Sequence, residues 1–157
     1  MSEKSPAQKA AEALEKERER QRIAQINAQI NSNNESIVNY NNWKDSCVSI
    51  KSEMTNAVNA WKTAKEEFGK CSIVSTVEKK NVFEGMAALS VKQKNESKIK
   101  EIDGIMGKAE KVIGQLEELK GTLEGKVSAL EESNKGLERQ KLSLIHISEP
   151  TRLRCIS

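Results

Sequence analysis

Apolar residues recur every three or four positions along two long stretches of the chain. In the first stretch, from Ile23 to Phe68, they fall on positions a and d of a heptad, as expected of a packed helix. Position a holds Ile23, Ile30, Ile37 and Val58 and is interrupted by Lys44, Lys51 and Lys65. Position d holds Ile26, Tyr40, Cys47, Met54, Trp61 and Phe68 and is interrupted by Asn33. The flanking g position adds Trp43, Ile50, Ala57 and Ala64. This stripe is wider than a strict two-stranded seam, so it predicts a helix in a hairpin or small bundle with its aromatic residues in the core.

The second stretch has a more regular heptad. One column contains residues seven apart: Ile102, Ala109, Leu116, Leu123, Leu130 and Leu137. We assign the second column to Ile105, Val112 and Leu119, with Met106, Ile113 and Val127 beside them. A heptad sustained over this length is typical of a coiled coil.

A single interruption separates the two stretches. Gly69 follows Phe68 directly, and glycine commonly ends a helix. Ser75 with Glu78, and Asn81 with Glu84, both have capping-box spacing, so the next helix is predicted to start at about 76 or 82. The prediction is an elongated, all-α antiparallel hairpin with helices at about 35–68 and 76/82–141 and a turn at 69–81. If the two helices pair symmetrically about that turn, Trp61 is expected to face Ser90.

Both ends of the chain differ from this hairpin. Residues 1–30 are predicted to form a charged helical extension that starts at Pro6, and the asparagine cluster at 31–34 allows either a break or a continuous helix. The stretch from Leu142 to Arg152 resembles the translation of a transposase adapter used in sequencing libraries. That resemblance implies a non-native tail at 142–157, with a natural apolar tail as the alternative. The hairpin domain that the heptads predict therefore covers residues 31–141.

Composition and charge exclude several classes of function. The chain has 26 basic and 23 acidic residues, a balance that argues against nucleic acid as a partner. It contains no apolar run of signal-peptide or membrane-span length, which predicts synthesis in the cytoplasm and leaves open export without a cleaved signal peptide. Cys47 and Cys71 are too few for a disulfide framework and lack metal spacing.

The sequence suggests no catalytic, cofactor or metal site. Outside the tail it has no histidine, no glycine-rich phosphate loop and no nucleophile paired with a base, so we do not expect an enzyme. Gly107, Gly114 and Gly121 lie seven apart within the second helix, where each glycine costs about 1 kcal/mol relative to alanine. They are interpreted either as a weakly stable outer face or as a strip on which a partner helix docks closely.

The segment at the apex resembles a known hairpin signature. Phe83, Gly85, Ala87 and Val91 are similar to the aromatic, glycine, alanine and later apolar residue of the W-x-G helical hairpins of type VII secretion. Phenylalanine replaces the tryptophan, and Tyr40 is not followed by the acidic residue of the export signal. The longer, coiled-coil-like chain is similar to the YwqH-like family, whose members are encoded beside LXG-type toxins.

Two functions therefore remain as expectations. The resemblance implies an accessory protein that binds the helical N-terminal domain of an LXG-type toxin. The alternative is a structural coiled-coil protein, of phage or cytoskeletal type, that self-associates into a homo-oligomer. In both cases the partner is a protein helix.

Overall fold

The described part of the protein is all-α, and the two helices in it form the predicted antiparallel hairpin. A computed structural model describes residues 5–70 and 86–148. Helix α1 spans Pro6–Lys70 and helix α2 spans Met86–Ser148. The candidate starts of the second helix at 76 and 82 lie outside the described residues, and α2 continues past residue 141 into the stretch that resembles the adapter.

A reciprocal cap fixes the start of α1. The backbone N–H of Gln8 donates to Ser5 Oγ over 3.3 Å, and the backbone N–H of Ser5 donates to Gln8 Oε1 over 3.0 Å. This is a capping box, in which two otherwise unsatisfied backbone donors of the first turn find partners. Pro6 follows the cap at the first helical position, where its missing N–H costs nothing.

Helix α1 passes through the asparagine cluster without a break. Ser32 and Glu35 have capping spacing, but Ser36 Oγ donates to the Ser32 carbonyl over 3.0 Å, an ordinary contact within a helix. Asn33 is buried in the seam and finds its polar partners on α2. Tertiary packing has therefore overridden the weak helix propensity of asparagine at this point.

The contacts divide the hairpin into two compact units. Within the described residues, unit 1 combines 5–43 with 123–148, and unit 2 combines 44–70 with 86–122. In each unit the seam is one residue thick, because two helices alone cannot enclose a deep core. Among the side chains that the structure describes, the most buried are Asn33 and Leu123 in unit 1 and Cys47 and Val58 in unit 2, at 4–7% exposed.

The register of unit 2 differs from the prediction. Lys51 pairs with Glu117 and Lys65 with Asp103, which centres the pairing near position 84. Trp61 consequently bonds to Asp103 instead of lying opposite Ser90. In this register Lys70 is level with Lys98, and Asn95 and Lys98 line a groove together with Phe68 of α1.

The second seam column of α2 was also assigned wrongly. Ile105, Val112 and Leu119 are 51%, 39% and 48% exposed. The seam instead uses the column one residue further on, with Met106 and Ile113 half-buried. Both columns are apolar in the sequence, and only the position of α1 decides which of them is buried.

The seam of α1 follows the predicted a and d positions but is narrower than expected. Ile50, Ala57 and Ala64 at the flanking positions are all exposed. Among the aromatic residues, Tyr40 and Trp61 are half-buried, whereas Trp43 is 57% and Phe68 45% exposed. Two helices cover only the a and d positions of each other, so the residues beside them stay in solvent.

Candidate interaction surface

One flank of unit 2 is lined with ion pairs between the helices. Lys51 donates to Glu117, Lys62 Nζ lies 2.7 Å from Glu110 Oε1, and Lys65 donates to Asp103. All six side chains are between about two fifths and three fifths exposed, so each pair contributes at most a fraction of a kcal/mol. We call this side of unit 2 the paired flank. These charges therefore contribute more to the choice of helix alignment than to the stability of the hairpin.

Asp103 and Glu117 each accept hydrogen bonds from two side chains on the paired flank. The hydrogen bond from Lys65 lowers the pKa of its carboxyl group, and the indole N–H of Trp61, 3.2 Å away, lowers it further. The pKa of Glu117 is lowered by the hydrogen bond from Lys51 and by the nearby charge of Lys120. Both carboxylates are therefore held in their ionised form.

The opposite side of unit 2 is apolar. It carries Ile50, Ala57 and Ala64 of α1 and Ile105, Val112 and Leu119 of α2, and we call these six residues the apolar flank. In the register set by the ion pairs, they face each other across the seam in nearly level pairs. The pairs are Ile50 with Leu119, Ala57 with Val112, and Ala64 with Ile105.

A groove of about 300 Å³ opens beside Ala64, at the end of unit 2 nearest Lys70. Trp61, Phe68, Ile99 and Ile102 supply most of its apolar wall. Its volume is at the lower limit of small-molecule pockets. A single large side chain entering from the apolar flank would fill it.

The predicted glycine strip lies beside the paired flank. Each of Gly107, Gly114 and Gly121 follows an ion-paired acidic residue of α2 by four positions, which places it on the same face of the helix. All three glycines are exposed, and a Cβ added at any of them would meet no atom within 4 Å. No apolar surface adjoins them on α2, since the apolar residues of that helix lie on its other side.

The apex motif is only partly within the described residues. Phe83 and Gly85 lie outside them. Ala87 and Val91 fall in the first two turns of α2, where only the backbone is described. The structure therefore leaves the predicted motif untested.

Unit 1 has a polar layer where unit 2 has apolar contacts. Asn33 Nδ2 donates to Asn134 Oδ1 over 2.8 Å, and Asn134 Nδ2 donates to Asn34 Oδ1 over 2.9 Å. Gln29 Nε2 completes the layer by donating to Asn33 Oδ1 over 3.0 Å. Such a layer fixes the alignment of paired helices, because a shifted register would leave a buried amide without partners.

An aromatic cluster lies in the same unit. The rings of Tyr40 and Trp43 are 5.6 Å apart and tilted by 58°, and Lys126 Nζ lies 5.4 Å from the centre of the tyrosine ring. This is the geometry of an aromatic pair with a cation–π contact. A second groove in unit 1 includes Ile26, Leu137 and Leu144, of which Leu144 belongs to the stretch that resembles the adapter.

The described part of the chain offers little for metal or membrane chemistry. Residues 5–70 and 86–148 contain no group of three side chains placed to hold a metal ion. Neither described helix is long and apolar enough to cross a membrane. Comparison of the chain with models of known protein families, with curated proteins and with solved structures finds no match.

Proposed function

We propose that this protein is a non-enzymatic accessory protein that binds the helical N-terminal domain of an LXG-type toxin and helps present it for type VII secretion. The observation that carries the proposal is the apolar flank. Its four larger side chains are each between 39% and 51% exposed although the hairpin around them is fully paired. An apolar stripe that stays exposed beside a paired seam is typical of a surface that binds another protein.

The type of partner follows from the same geometry and from the family resemblance. A stripe along two antiparallel helices is straight and parallel to them, so its natural complement is a third helix. The toxins encoded beside YwqH-like proteins begin with helical domains, which supply helices of this kind. The resemblance of Phe83, Gly85, Ala87 and Val91 to the W-x-G signature supports the link to secretion.

Co-expression of the full chain with the helical domain of an LXG-type toxin tests the proposal. We expect a stable complex in size-exclusion chromatography with light scattering, and no complex with a helical domain of equal length from an unrelated protein. Absence of a toxin complex, together with concentration-dependent self-association of the chain, would favour the structural coiled-coil alternative. A toxin gene beside this one would support the proposal independently.

A further inference from the structure

We infer that the apolar flank of unit 2 binds a single amphipathic helix of a different protein, with basic side chains along the edge that lies on α1. This inference rests on the proposed function and specifies the surface and chemistry of the partner. From Ile105 to Leu119 the flank extends about 21 Å, at 1.5 Å per residue. Four turns of a helix with aliphatic residues at heptad spacing cover that length.

The charges along the two edges of the flank are unequal. On α1 the next column outward holds Ser46, Glu53, Ala60 and Glu67, with acidic but no basic side chains. No ion pair involves Glu53 or Glu67 within the described residues, whereas the lysines of the paired flank all have acidic partners. On α2 the corresponding column holds Glu101, Lys108, Gln115 and Thr122. Since Glu101 is paired with Lys98 Nζ at 3.0 Å, this edge carries no excess of acidic charge. A helix with lysine or arginine toward α1 would therefore match the uncompensated charge.

A second copy of the chain fits this surface less well. Pairing that stacks α1 on α1 sets one acidic edge against another. In the other arrangement a twofold axis runs parallel to the helices, and α1 of one copy stacks on α2 of the other. This rotation does not shift residues along the axis, so Glu67 would lie level with Glu101 of the second copy. The first arrangement brings like charges together, which disfavours association, and in the second Glu67 meets a carboxylate that Lys98 already pairs at 3.0 Å.

The groove at the end of the flank adds a feature that the partner can use. A phenylalanine or leucine at one end of the partner helix would fill the space beside Phe68 and Ile99. Filling it would also cover Phe68, which is 45% exposed. Buried anchors of this kind supply much of the affinity when a helix binds in a groove.

The test uses the full chain and two fluorescein-labelled synthetic helices. Each peptide has three heptads with leucine on one face, and its edge residues are lysine in one peptide and glutamate in the other. We expect anisotropy titrations at low salt to show at least fivefold tighter binding of the lysine peptide, with the preference falling as salt rises. In the E53Q/E67Q variant the preference should disappear.

Matched substitutions locate the binding surface. Leu119→Gln lies on the apolar flank and Val48→Gln lies on the other side of the seam, and both native side chains are 48% exposed. We expect Leu119→Gln to weaken binding of the lysine peptide at least tenfold and Val48→Gln to leave it unchanged. Circular dichroism melts of both variants check that the fold is retained.

Several results would overturn the inference. The inference fails if Leu119→Gln and Val48→Gln weaken peptide binding equally, or if neither peptide binds. It also fails if sedimentation shows that the native chain is a dimer and that Leu119→Gln dissociates it. The last result would show that a second copy covers the flank. If the toxin domain binds the Leu119→Gln variant at full strength, the surface is wrong while the proposed function stands. If the lysine peptide binds at the flank but the toxin domain does not bind at all, the proposed function fails alone.

Discussion

The buried amide layer of unit 1 makes a quantitative prediction about stability and alignment. Asn33 is 6% exposed at a seam position where leucine would fit the heptad. Burying a leucine side chain contributes about 1.5–3 kcal/mol. Replacing Asn33 alone removes the donor to Asn134 Oδ1, and an orphaned polar atom costs about 1–3 kcal/mol. The single variant Asn33→Leu should therefore change the free energy of unfolding by less than about 1 kcal/mol.

The double variant N33L/N134L should behave differently. Both partners of the central hydrogen bond are then gone, so no buried acceptor is left unpaired, and two leucines face each other across the seam. We expect its free energy of unfolding to rise by about 3 kcal/mol, more than the two single variants together. Urea unfolding followed by circular dichroism measures all three values and the native reference. A double variant less stable than the native chain would show that the amide layer is a net source of stability and would refute this reasoning.

The same variant should lose its unique alignment. An aliphatic seam tolerates a shift of one heptad, whereas a buried amide that must find its partner does not. Spin labels at the exposed positions Asn27 and Glu138 report the alignment of unit 1 directly. We expect one narrow distance distribution in the native chain and a broad or divided one in N33L/N134L. A narrow distribution in the double variant would mean that other contacts, such as that of Lys126 with Tyr40, fix the register.

Three further predictions follow from the described contacts. Changing Gly107, Gly114 and Gly121 to alanine should raise the free energy of unfolding by up to about 3 kcal/mol, because the added methyl groups meet open space. An unchanged urea midpoint would contradict this prediction. The pKa values of Asp103 and Glu117 are lower in the folded chain than their ordinary values of 3.8 and 4.5, so both ionised carboxylates stabilise the fold at a pH above those ordinary values. This stabilisation is lost as the pH falls through the folded-state pKa values. The urea midpoint should thus fall on acidification, and less steeply in the D103N/E117Q variant. Cys47 is 7% exposed, so in a variant with Cys71 and Cys155 changed to serine its thiol should react with a thiol reagent slowly in buffer and quickly in urea.

The sequence predicted the architecture because a heptad is a local pattern. Once Ile23 is set at position a, every a and d position of α1 from Ile23 to Trp61 is buried or half-buried, as counting predicts. Counting also placed Asn33 and Lys51 in the seam, and both are there. The polar residues at these positions made the stripe less regular in appearance, but they did not shift its phase.

The alignment of the two helices could not be predicted in the same way. Moving α2 by one or two heptads keeps leucines opposite isoleucines, so the apolar pattern alone permits several registers. The ion pairs of Asp103 and Glu117 distinguish the registers, and these pairs involve residues far apart in sequence. Opposite charges at matching heptad positions were a usable signal, since the lysines at position a of α1 need acidic partners.

The apolar flank was missed for a related reason. Ile105, Val112 and Leu119 have the spacing of a seam column, and nothing local distinguishes a column that packs within the hairpin from one that faces solvent. The glycines were singled out because they are unusual in a helix, yet they lie away from the exposed apolar surface. Surplus apolar residues beside a complete heptad indicate an exposed apolar surface.

The two tryptophans give each compact unit its own spectroscopic reporter. Trp61 is half-buried in unit 2, and its indole N–H donates to Asp103, so its emission should change when that unit opens. Trp43 belongs to unit 1, where its ring lies against Tyr40 and is 57% exposed. Single-tryptophan chains made by Trp43→Phe or Trp61→Phe would thus follow the melting of one unit at a time. Coincident transitions would show that the uninterrupted helices make the two units unfold as one, and separate transitions would show that the chain opens in stages.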